Sequence, residues 1–169
     1  MATRKTPPRK KSTTRKSGRT LPRDALSLLR ADHRAVDALL KKYEKARAAS
    51  QKQKIAGSIC EELTVHARIE EAIFYPALRK SCGKKAADLL DEAKVEHASL
   101  KELIAQIENS SPSDDLYDAK VKVLGEYVKH HVKEEEGEIF PMARKSRLDL
   151  HALGAMLQER KDALSAAKA

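Results

Sequence analysis

The stretch His66-Ala67-Arg68-Ile69-Glu70-Glu71-Ala72-Ile73-Phe74-Tyr75-Pro76 returns, without a gap, as His131-Val132-Lys133-Glu134-Glu135-Glu136-Gly137-Glu138-Ile139-Phe140-Pro141. The His, both Glu and the Pro align. Upstream of each copy stands a lone histidine after an acid, Asp32-His33 and Glu96-His97, at nearly the same interval. The chain is a duplicated helix pair, each half offering one His and then a His-x-x-x-Glu.

The spacing has a direct physical meaning. Residues four apart lie one above the other on a helix face. His66 and Glu70 therefore point one way, and so do His131 and Glu135. That way is the apolar one. Leu26, Leu29, Val36 and Leu40 recur at three and four residues, with His33 in the gap. Ile59, Leu63, Phe74 and Ala77 flank His66 and Glu70. Leu90, Ala93, Leu100, Ile104 and Ile107 flank His97. Leu116, Val123 or Leu124, Tyr127 and Ile139 flank His131 and Glu135.

These stripes predict four long helices, over residues 24–48, 53–79, 85–108 and 113–144. Asp24 and Ser113 stand at helix starts. Ser81-Cys82-Gly83 and Ser110-Ser111-Pro112-Ser113 break the pattern, and such short connections make neighbours antiparallel. The expected fold is all-α, an up-down-up-down four-helix bundle. A short C-terminal helix over 150–166 presents Leu153, Met156, Leu157 and Leu164 to it. Pro76 and Pro141 should kink or end their helices at the preceding residue.

Charge divides the chain differently. Residues 1–23 hold nine of the 34 Lys and Arg and no acid, while the other 25 bases balance the 25 acids. The net charge of +9 therefore belongs to this segment. Almost nothing in it is apolar, so it is expected to be a disordered basic tail ahead of a domain at 24–169. Such a tail can bind nucleic acid non-specifically through counterion release. No apolar run is long enough for a membrane span and none forms a signal peptide. Two cysteines, Cys60 and Cys82, make no disulfide scaffold. A reducing, cytoplasmic setting is the expectation.

A single histidine in an apolar stripe is ordinarily a satisfied core residue. Four imidazoles and two carboxylates aimed at one core are harder to satisfy. An unpaired buried polar group costs about 1–3 kcal/mol, and an unpaired charge more. Two cations would balance the set, with carboxylates bridging and imidazoles terminal. The candidate metal ligands are His33, His66, Glu70, His97, His131 and Glu135. Spacing alone admits zinc or manganese as well as iron.

The pattern of lone His, His-x-x-x-Glu, lone His, His-x-x-x-Glu resembles the hemerythrin family, specifically its HHE cation-binding branch, over about residues 24–145. The resemblance implies a four-helix bundle around a non-haem di-iron pair. His33, His66, His97 and His131 would be terminal ligands, and Glu70 and Glu135 would bridge. Oxygen-carrying members place two histidines one turn apart on the third helix. Here the residues one turn either side of His97 are Ala93 and Lys101. They also place the fourth-helix carboxylate one residue later, which would select Glu136. Glu71 and Glu138 are further oxygen donors within reach of the pattern.

The implied function is a di-iron protein that binds or senses O2, NO or peroxide, or buffers iron. The alternatives are a di-iron enzyme acting on peroxide or ferrous iron, and a bundle tethered to DNA by its tail. Beside the ligand set, His130 and His151 read as surface residues, and Tyr127 as packing over the site.

Overall fold

The computed structural model describes residues 24–167, and the basic tail expected over 1–23 lies outside them. Among the described residues every regular element is helical. α1 (Ala25–Lys45) begins at Asp24, whose carboxylate accepts from the Ser27 N–H at 3.0 Å and the Ser27 hydroxyl at 2.7 Å. This is the side-chain cap that satisfies an orphan helix N–H. After residues 46–48 the chain returns as α2 (Ala49–Ile69), four residues earlier than the apolar pattern suggested. The extra turn is exposed, so no stripe announces it.

Pro76 does not end this helix. A π-helical turn (Glu70–Phe74) intervenes, and α3 (Tyr75–Cys82) continues beyond it. The second copy behaves identically. α5 (Tyr117–Glu134) passes through a π turn (Glu135–Ile139) into α6 (Phe140–Lys145). In both turns an N–H bonds five residues back, Tyr75 to Glu70 and Phe140 to Glu135. The added residue sets each proline in the first turn of a new α segment, where a missing N–H costs little. It also brings the residue after the turn onto the face of the Glu that opens it.

Between the two copies lies α4 (Lys84–Glu108). Gly83 alone joins α3 to α4, at φ 56° and ψ −133°, a conformation that residues with a Cβ rarely adopt. The α4–α5 connection is longer than the pattern suggested. Ser113 was expected to cap the fourth helix, but its hydroxyl pairs with that of Ser111 at 2.9 Å. The Asp114 carboxylate accepts from the Ser111 N–H at 2.8 Å. These residues form a turn of their own, and the helix starts at Tyr117.

The four rods run up, down, up and down. α7 (Leu150–Ala166), capped by Asp149, lies against α1 and α2. Its Leu153 and Leu157 are buried, whereas Met156, expected to face inward, is 54% exposed. Leu116 and Tyr127 are corrected in the same way, at 64% and 49% exposed. The working stripe of α5 is Tyr117, Val121, Leu124, Val128, His131 and Glu135. At 100° per residue Tyr127 points about 80° from its centre.

The core is two apolar clusters with a polar layer between them. Leu26, Leu29, Ile69, Phe74, Tyr75, Leu78, Leu90, Phe140 and Leu157 build one end. Val36, Leu40, Ile59, Leu63, Leu100, Ile104, Leu124 and Val128 build the other. His33, His66, Glu70, His97, His131 and Glu135, all 7% exposed or less, fill the layer where they meet.

Candidate metal centre

All six sequence-derived candidates come together. The Nε2 atoms of His33 and His66 are 3.1 Å apart, and those of His97 and His131 are also 3.1 Å apart. Glu70 reaches both pairs, with Oε1 3.2 Å from His66 Nε2 and Oε2 3.5 Å from His97 Nε2. Glu135 Oε2 lies 3.2 Å from His33 Nε2. Donor atoms of His33, His66, Glu70 and Glu135 form one group, and those of Glu70, His97 and His131 a second. Glu70 is common to the two.

A ring of outer carboxylates holds three of the imidazoles, and its fourth member faces the remaining one. His33 Nδ1 donates to Glu136 at 2.8 Å, His97 Nδ1 to Glu71 at 3.0 Å and His131 Nδ1 to Glu96 at 2.6 Å. His66 Nδ1 faces Asp32 Oδ2 at 3.5 Å, too long for a good hydrogen bond. The arrangement follows the duplication. Asp32 and Glu96 directly precede the lone histidines, and each serves the other histidine of its own half. Glu71 and Glu136 directly follow the inward glutamates, and each serves the lone histidine of the opposite half. Basic side chains back three of the four: Lys161 on Asp32 at 2.6 Å, Lys101 on Glu71 at 2.6 and 2.7 Å, and Arg30 on Glu136 at 3.0 Å.

This ring was missed as a set in the sequence, although its members sit at matched repeat positions. It also separates the neighbouring acids. Glu135 is fully buried and faces the cluster, while Glu136 turns outward to His33. Glu71 likewise turns outward to His97, and Glu138 is exposed. His130 is on the surface, and His151 is exposed in the first turn of α7.

The π turns place one aromatic ring per half over the layer. Phe140 lies parallel to His33, interplanar angle 7° with centroids 5.8 Å apart. Tyr75, its counterpart, lies over His97 at 5.6 Å. The tyrosine adds a hydroxyl, which donates to Glu135 Oε1 at 3.3 Å and Glu70 Oε2 at 3.4 Å. Across the layer a cavity of about 20 Å³ touches all four histidines. Its other walls are mostly apolar and include Val36, Leu63, Leu100, Ile104 and Val128.

Electrostatics in the layer are strained. Burial penalises the His66 charge, yet Glu70 and Asp32 overcome it and raise its pKa to about 10. Burial likewise opposes ionisation of Glu70, yet the His66 charge holds its carboxyl well below the usual range. Burial and then the negative Glu70 raise Glu135. Burial and the neighbouring His131 lower His97 to about 4. Protons serve this cluster unevenly. Glu70 Oε1, Glu135 Oε2, Asp32 Oδ2 and His66 Nδ1 are buried without a hydrogen-bond partner among the described residues. Orphaned carboxylate oxygens beside imidazole nitrogens are the donor set that fits cations.

Comparison with known proteins bears on the family and the fold. The model of the hemerythrin HHE cation binding domain matches residues 24–143. A curated relative from Nostoc sp., named DNA nickase, is 31% identical over 118 residues. That match takes in 69% of this chain but 32% of the relative, so the chain spans about a third of its length. A crystal structure of a hemerythrin HHE cation binding domain-containing protein from Mycobacterium kansasii superposes with a TM-score of 0.74. The two share 21% identity, over 86% of this chain and 89% of that one. This likeness is one of fold.

Proposed function

The chain belongs to the hemerythrin HHE cation-binding family, and from that premise we propose that it holds two iron ions in the polar layer and binds or senses O2, NO or peroxide there. Iron buffering is the same reading without the small ligand. The observation that carries it is the convergence of the imidazole Nε2 atoms on the buried carboxylates. With Nδ1 of His33, His97 and His131 engaged by Glu136, Glu71 and Glu96, the Nε2 atom of each ring is turned into the layer, the orientation a ligating imidazole needs. Those atoms face partner nitrogens at 3.1 Å, beside orphaned carboxylate oxygens. Four imidazole nitrogens and two buried carboxylates brought this close together form a donor set that cations would satisfy.

His33, His66, Glu70 and Glu135 would hold one ion, and His97, His131 and Glu70 the other. Two irons supply reversible electron transfer and open positions for a small ligand. The protein's own contribution is confinement. The cavity beside the histidines has room for about one water-sized molecule, and its apolar walls favour a small, weakly hydrated guest. The Tyr75 hydroxyl steadies both carboxylates from the other side.

The deciding experiment is elemental analysis of protein purified without added metal, with its absorption spectrum in air. The expected result is about two irons per chain and near-ultraviolet absorption that bleaches on reduction. Zinc alone, or no metal, would refute the reading. Steady-state peroxide turnover that disappears in His66→Ala would make the protein an enzyme.

A second reading concerns residues 1–23. Their nine bases support weak, sequence-independent binding to nucleic acid, and the name of the Nostoc relative is a reason to test it on DNA. Deleting residues 1–22 should remove low-salt DNA retention. Unchanged retention would reject the tether.

A further inference from the structure

The duplication that builds the core is broken on its outside. In the first half, α7 lies over the α1–α2 pair, and its Lys161 binds Asp32 at 2.6 Å. The repeat positions beside His66 are Val65 and Ile69, both buried. In the second half the same positions are His130 and Glu134, and their side chains are 62% and 36% exposed. Glu96 replaces Asp32. Two buried apolar residues have thus become an imidazole and a carboxylate exposed to solvent.

The three side chains converge. His130 Nε2 lies 3.2 Å from Glu134 Oε1, one turn along α5, and 3.5 Å from Glu96 Oε1 on α4. One donor atom from each falls within 4.8 Å of the others. A helical His–Glu pair needs one carboxylate, and here the imidazole meets two. Glu96 is already engaged inward, its Oε2 accepting from His131 Nδ1 at 2.6 Å. Behind the group a cavity of about 10 Å³ is lined by Glu92, Glu96, Glu134, His131 and Glu135. Its lining thus includes both outer carboxylates and the fully buried Glu135, whose Oε2 has no hydrogen-bond partner among the described residues.

We propose that Glu96, His130 and Glu134 form an outer site for a divalent transition-metal cation, which then passes along the cavity to Glu135 in the core. One neutral imidazole and two carboxylates balance a dication, and the mixed N,O donor set suits Fe2+, Mn2+ or Zn2+. Exposure makes the site weak and exchangeable, as an entry point must be. The onward passage rests on the core being the metal centre proposed above.

The test uses the full, metal-free chain with Fe2+ under anaerobic conditions. Equilibrium dialysis should find a third, weaker ion per chain beyond about two in the core. His130→Ala and Glu134→Gln, both at the surface, should each weaken that ion and slow core loading by about tenfold or more, the scale on which even an outer-shell partner acts. Final core content should not change. Wild-type stoichiometry and loading rate in both variants would overturn the proposal. If the core takes up no iron while one ion is lost with His130→Ala, the outer site stands and the passage inward is refuted.

Discussion

Glu70 and Glu135 occupy the same repeat position, yet the structure predicts that their loss has unequal effects. Glu70 lies within reach of both histidine pairs, 3.2 Å from His66 and 3.5 Å from His97. Glu135 joins only the group of His33 and His66. Glu70→Gln keeps the shape and removes the charge from both groups, whereas Glu135→Gln would spare an ion held by His97 and His131. Removing one partner of a buried charge pair costs about 3–5 kcal/mol. At about 1.4 kcal/mol per decade that is a hundredfold to several thousandfold in affinity. Glu70→Gln should therefore retain less than about one ion per chain after dialysis against a weak chelator, and Glu135→Gln about one. Heating curves give an independent measure. An ion at about a thousand times its Kd stabilises by about 4 kcal/mol. For a domain of this size that is about 10–15 °C in Tm. Iron should raise the Tm of the wild type most, of Glu135→Gln less and of Glu70→Gln least. Two ions bound with wild-type affinity in Glu70→Gln, or equal losses in the two variants, would refute the reasoning.

Lys161→Ala frees Asp32 from its brace on α7, and metal affinity should fall by about tenfold or more as His66 loses orientation; competition with a chromogenic chelator measures it, and an unchanged affinity counts against the outer ring. Metal loading at neutral pH should release protons. His66, raised to about 10, carries a proton in the metal-free protein that a cation must displace, so calorimetry in buffers of different ionisation enthalpy should find at least about one proton released per chain. Gly125→Ala should be neutral to stabilising, by up to about 1 kcal/mol in urea unfolding. The new Cβ would meet Leu40 Cδ2 at 3.1 Å, and Leu40 lines an adjacent groove into which it can move. Marked destabilisation would show that Leu40 is fixed.

Much of the protein was legible because polar residues write over its core pattern. A polar residue in an apolar stripe is conspicuous, and a stripe interrupted six times by His and Glu at duplicated intervals identifies both the bundle and its centre. Period 3.6 fixed the helices, and the repeat fixed which faces meet. The residues misread were those whose orientation depends on a few tens of degrees. Tyr127 falls at the margin of its stripe and turns to solvent. Met156 does so on α7, where Leu153 and Leu157 already fill the contact. The two prolines read as breaks because local sterics oppose a continuing helix. The fold answers that objection with a π turn, and in doing so carries Tyr75 and Phe140 over the site.

What the sequence determined by itself was the set of elements, their order and the six inward residues, because side-chain periodicity along a helix is a local property. What only the tertiary structure decided was the partnership across helices. In the sequence Asp32 and Glu96 are acids beside a histidine, and Glu71 and Glu136 read as further candidate oxygen ligands. They become braces because antiparallel packing sets each within reach of an imidazole from another helix, and no local spacing encodes that distance. The same holds for α7, whose choice of the α1–α2 side leaves His130 and Glu134 open on the other.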